Sequence, residues 1–101
     1  MTTLSDSSSA EALVRTLVDE RLIACGNVLP GLSSIYRWQD EVAHENEVMV
    51  VMKLAAFGVE RLFARVAALH PYTVPELVEL PIGAVSGPYS RWVVESTKVV
   101  A

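Results

Sequence analysis

Two changes of hydrophobic period predict an α+β fold for this chain. Apolar residues recur three or four apart at Leu13, Val14, Leu17, Val18 and Leu22, and again at Val59, Leu62, Phe63, Val66 and Leu69, as one face of a helix requires. Between and after them lie β-prone runs rich in branched and aromatic side chains: Ser33 to Gln39, Glu47 to Leu54 and Glu76 to Ile82. All of this falls within 101 residues, the size of one domain able to bury a core without metal or disulfide staples.

Each element has its own signal. Ser8-Ser9-Ala10-Glu11 fits a capping box with Ser8 as N-cap and Glu11 reaching back, and Gly26 closes the amphipathic helix that follows. Pro30-Gly31 marks a turn or bulge ahead of a strand that carries Tyr36 and Trp38 on one face, Ile35 and Arg37 on the other. Gln39 to Asn46 is polar and short, which suits a hairpin connection. Glu47 to Leu54 is apolar without alternation and reads as a strand buried on both faces. The helical period returns from Phe57 and stops at His70, because Pro71 pushes His70 out of the helical region and Pro75 restricts Val74. Val78, Leu80 and Ile82 alternate as a third strand. A loop from Gly83 to Gly87 leads to Pro88 at the first position of a last helix, where Tyr89, Trp92, Val93 and Ser96 share a face.

The order α-β-β-α-β-α is that of a ferredoxin-like βαββαβ sheet with an added C-terminal helix, except that a strand before the first helix is missing. Met1 to Leu4 is too short for a full one. Losing a central strand would leave its neighbours with unpaired backbone groups, at roughly 1 to 3 kcal/mol for each buried one. Residues 1–7 are therefore expected to be poorly ordered or the remnant of a truncated first strand, in a single domain over 1–101 whose natural start lies upstream of Met1.

Composition excludes several roles. The 12 acidic and 8 basic residues give a net charge of -4 with no basic block, so nucleic acid is a poor partner. No apolar run reaches the ~20 residues that span a bilayer, and Thr2 to Ser9 lacks the basic-then-apolar pattern of a signal peptide, so a cytoplasmic protein is expected. Cys25 is the single cysteine, which leaves no intrachain disulfide. A mean hydropathy of +0.36 is high for so small a domain and points to association with copies of itself.

The chain holds no HExxH, CxxC or GxSxG pattern and no phosphate-binding glycine loop, so no enzyme is expected. The most informative stretch is His70-Pro71-Tyr72-Thr73-Val74-Pro75-Glu76, which holds an imidazole, a phenol and a carboxylate on proline-stiffened backbone. His70 and Glu76 are ligand types for borderline metals such as copper(II) or zinc(II). Two ligands make a weak site, so a third must come from elsewhere in the fold or from a neighbouring chain. The simpler alternatives are a His70 ring bonding the last carbonyls of its helix, and a strand-end Glu76 paired with Arg37 or Lys53. Lys53, at the end of a buried strand, is expected to reach a carboxylate or a pocket mouth. His44 reads as a solvated hairpin residue, Cys25 as a small buried hydrophobe, and Tyr36, Trp38, Tyr72, Tyr89 and Trp92 as core and interface packing.

Glu20-Arg21-Leu22-Ile23-Ala24-Cys25-Gly26-Asn27, Pro30-Gly31, Ser34-Ile35-Tyr36-Arg37-Trp38, Lys53, His70-Pro71-Tyr72, Val74-Pro75-Glu76 and Tyr89-x-x-Trp92, in this order and spacing, resemble the CutA divalent-cation tolerance family from Asp6 to Lys98. The resemblance implies a ferredoxin-like subunit in a tight homotrimer, a shape shared with PII-type signalling proteins. It implies a role in tolerance to divalent metals, with copper(II) held by His70, Glu76 and a first-strand cysteine. Thr2 or Thr3 stands at that cysteine's place here, and a hydroxyl is a poor ligand for such a metal. A trimer that instead binds a small anionic or organic ligand in the cleft between subunits would use Tyr36, Arg37, Lys53 and Tyr72 as recognition groups.

Overall fold

The computed structural model describes residues 1–98, so the last three residues of the domain expected over 1–101 lie outside the described residues. Its elements run β1 (Thr2–Leu4), α1 (Ser7–Asp19), β2 (Cys25–Trp38), β3 (Glu41–Lys53), a 3-10 turn at Ala56–Gly58, α2 (Val59–Leu69) and α3 (Gly87–Ser96). The three strands form one antiparallel sheet in the order β1-β3-β2.

The start of the chain is a strand. Thr2, Thr3 and Leu4 pair with Val50, Met49 and Val48, and Thr2 and Leu4 are fully buried. Two residues later α1 begins, capped by Asp6 instead of Ser8: Asp6 is extended, and its Oδ1 accepts the Ser9 N–H at 2.7 Å. That bond holds the Asp6 carboxyl below its ordinary range, and a carboxylate suits the positive end of the helix dipole. The helix ends at Asp19, well before Gly26. Arg21 adopts φ 60°, and the Leu22 N–H donates to the Leu17 carbonyl at 3.0 Å, which closes a Schellman turn without glycine. Gly26 has a different reason to be there. In β2 it faces α1, where a Cβ would meet Val14 Cγ1 and Cγ2 at 2.9 Å.

β2 and β3 make one long hairpin joined by only two residues, Gln39 and Asp40, both at positive φ (51° and 66°) as the right-handed twist of a hairpin prefers. The connection expected over Gln39 to Asn46 is therefore mostly strand. Pro30-Gly31 forms the bulge, with Gly31 at φ 84° and one extra β2 residue between the Leu29↔Met49 and Leu32↔Glu47 pairs.

Leu13 and Leu17 of α1 and Leu62 and Val66 of α2 pack with Leu4, Ile23, Val48 and Val50 into a single core on one face of the sheet. Side chains alternate along a strand, so Cys25, Asn27, Leu29, Met49, Val51 and Lys53 lie on the opposite face, joined beyond the bulge by Glu45, Glu47 and Tyr36. The strand expected over Glu76 to Ile82 does not form. Met1 and Val78 exchange both backbone hydrogen bonds, at 2.9 and 3.2 Å, but a three-residue β1 offers the segment no further partner, and Val78, Leu80 and Ile82 stay exposed. No described helix is long and apolar enough to cross a membrane.

Candidate functional site

The His-Pro break delivers His70 to the edge of β1. His70 caps α2, donating its N–H to the Val66 carbonyl at 2.8 Å, but its ring leaves the helix carbonyls alone. Nδ1 accepts the Tyr72 N–H at 3.1 Å, so Nε2 carries the proton and donates to the Thr3 carbonyl at 2.9 Å. The ring is buried at 8% exposure. Burial lowers its pKa, against the raising effects of the Thr3 carbonyl and Glu47, which agrees with the neutral tautomer.

Tyr72 stacks against that ring with centroids 4.8 Å apart and donates its hydroxyl to Glu47 Oε2 at 2.8 Å. Desolvation first, then this bond and the Glu45 and Glu47 charges, push the Tyr72 phenol well above its ordinary range. Tyr36 is raised likewise, by desolvation first and then by Glu45 and Glu47. His70, Tyr72, Tyr36, Glu45 and Glu47 thus converge on the open sheet face. Glu47, only 7% exposed, is with Glu45 a member that sequence reasoning missed. Its signal was present as carboxylates at 45 and 47, two apart on one strand face.

The remaining candidates do not join this cluster. Lys53 Nζ bonds the Asn27 amide oxygen at the base of the hairpin, and Arg37 Nη1 reaches the Asp40 carbonyl at its tip. Twelve strand residues, about 40 Å of extended chain, separate Arg37 from the Lys53 end. Glu76 is exposed and pairs with neither cation, and its charge acts on the Met1 nitrogen. His70 at Thr3 and Glu76 near Met1 therefore flank Thr2, whose buried hydroxyl has no hydrogen-bond partner. His44 is not idle either, since its Nε2 meets Ser33 Oγ at 2.6 Å. Cys25 Sγ lies 3.7 Å from the Tyr89 hydroxyl, and Tyr89 stacks on Trp92.

A resident metal does not fit these residues. Both His70 nitrogens already hold backbone partners, the Thr2 hydroxyl is a poor metal ligand, and among the described residues no three His, Cys, Asp or Glu side chains are placed to hold a metal ion. The cluster can instead lock the 70–72 segment to β1 and β3, and it presents carboxylates and phenols towards whatever covers the open face.

A protein of Thermus thermophilus named a divalent-cation tolerance protein CutA is 45% identical over 95 residues, which cover 94% of this chain and 92% of that one. The solved Thermus thermophilus structure named as divalent cation tolerance protein superposes with a TM-score of 0.91 at 44% identity, covering 96% of this chain and 94% of its own. A Nostoc structure named as a PII-like protein CutA in apo form reaches a TM-score of 0.89 at 38% identity, over 98% and 95% of the two chains. The model of the CutA1 divalent ion tolerance proteins matches residues 1–96. With family model, sequence and fold in agreement over nearly its whole length, this chain belongs to the CutA1 divalent ion tolerance protein family.

Proposed function

We propose that this chain works as a cytoplasmic, non-enzymatic homotrimer of ferredoxin-like subunits, a PII-like assembly that takes part in the response to divalent cations. One observation carries the reading: the apolar surface the single chain leaves uncovered. Ile35, Trp38 and Val42 at the hairpin tip are 71%, 47% and 67% exposed, and Leu80, Ile82 and Trp92 are 58%, 72% and 46% exposed. A soluble monomer rarely leaves so much uncovered, and copies related by a closed symmetry would bury it. The free edge beyond Met1 and Val78 gives a neighbouring hairpin a place to pair.

Cation binding in this reading is weak and exchangeable, with copper(II) the metal whose ligand preferences best suit His70 and Glu76. His70 would have to release the Tyr72 N–H to offer Nδ1, and that lost bond sets the weakness. A second reading, a small anionic ligand recognised by Tyr36, Arg37, Lys53 and Tyr72, draws on the same trimer: only a neighbour's hairpin could bring an Arg37 near a Lys53. Light scattering tests the assembly, with a mass near three times 11.0 kDa expected and a mass at 11.0 kDa sinking it. Calorimetric titration with copper(II) should show weak binding that His70→Ala and Glu76→Gln abolish. Heat unchanged in both variants would remove the metal from these residues.

A further inference from the structure

The outer side of the helical layer carries a second feature, which no residue of β1, β2 or β3 lines. An open groove of about 470 Å³ runs between the end of α1 and α2, floored by Ala64 and Ala68 and flanked by Arg61, Arg65 and Glu20. A smaller groove continues from it past Leu22 and Arg61, which line both, to Arg21 and Phe57. Three of the chain's 8 basic residues meet here although its net charge is -4. The single carboxylate among them, Glu20, is already neutralised by a two-pronged bond to Arg65 at 2.7 and 2.8 Å. Arg21 and Arg61 have no carboxylate partner among the described residues. Phe57 stands at the rim, 81% exposed.

We propose that this double groove is a docking surface for an acidic segment of another protein, whose carboxylates meet Arg61 and Arg21 and whose apolar side chain covers Phe57. Charge complementarity supports this occupant, since a cationic patch on an acidic protein attracts what the rest of the surface repels. The shape favours a peptide over a small anion. The groove is open and shallow, alanine at 64 and 68 lets a main chain lie close, and a phosphate would leave Phe57 uncovered. The Schellman turn contributes by fixing where Arg21 leaves the backbone. The surface lies on the side of the sheet away from the open face, so it stays accessible whether or not copies associate there.

Fluorescence polarisation of a labelled Glu/Leu-rich peptide tests the proposal, with a Lys/Leu-rich peptide of equal length, inorganic phosphate and ATP as controls. Saturable binding of the acidic peptide is expected, weakened roughly tenfold by Arg61→Glu and about threefold by Phe57→Ala, and falling with added salt. Both side chains are exposed, so circular dichroism and solution mass should stay unchanged in the variants. Absence of saturable binding at low salt, equal binding of the Lys/Leu-rich peptide, or indifference to Arg61→Glu would each overturn the docking surface. Full displacement by phosphate or ATP would also overturn it, because the occupant would then be a free anion.

Discussion

His70 ties three segments together through one neutral ring: α2 by its backbone, the 70–72 turn by Nδ1 and β1 by Nε2. Its folded pKa lies below the ordinary 6.5, with burial the main cause. On acidification the unfolded chain therefore takes up the proton first. Stability linked to this ring is complete above the unfolded value and falls as the pH drops from about 6.5 towards the folded one. Urea midpoints measured between roughly pH 7 and pH 5 should decline in the parent chain and decline less in His70→Gln, and equal slopes would show that the ring does not titrate with folding. The proline pattern made the position of His70 legible, since it sets the backbone by sterics alone. The ring's partners were hidden, because Thr3 is 67 residues away and offers only a carbonyl that any residue would supply.

Among the elements, the contact between α1 and β2 is the tightest that a single residue controls. Gly26 sits under Val14 with no space for a Cβ, and β2 is held in register by its pairing with β3, so α1 must give way to any side chain there. Gly26→Ala should cost about 1 to 3 kcal/mol in chemical denaturation, with α1 displaced from the sheet. An unchanged midpoint would mean that the helix floats on the strand. The sequence marked this glycine as a helix terminator, and periodicity could not tell a stop from a close approach. Asp6 is hidden as N-cap for a similar reason: Ser8-x-x-Glu11 satisfies the capping pattern equally well, and only the depth of Leu4 in the core decides where the chain turns. The segment from Glu76 to Ile82 shows the reverse failure. Its alternation is that of a strand, but strand identity needs a partner, and Met1 ahead of β1 supplies one residue pair.

At the scale of the molecule, the hairpin stretches the chain to 45 × 29 × 22 Å and carries apolar side chains on both faces of its tip. If the proposed trimer is right, the tip is part of the contact. Trp38→Glu should then shift the light-scattering mass towards 11.0 kDa while the circular dichroism of the subunit persists. A mass still near three chains would place the contact elsewhere. The excess of hydropathy over size made the uncovered apolar surface legible from composition, because there is not enough interior in one small domain to hide it. The geometry of the cluster around Glu47 was not legible, since it depends on which residues of two strands face the same way.

That last dependence rests on the bulge at Pro30-Gly31. Upstream of it the odd-numbered residues of β2 face away from the core, and downstream the even-numbered ones do. Pairing the two strands regularly with every residue kept would leave each later side chain of β2 chemically intact but turned over, so that Ile35 and Arg37 take the places of Tyr36 and Trp38. Point changes in this hairpin alter one contact each. A register that absorbed the bulge would exchange the entire set of groups the hairpin offers to a neighbour.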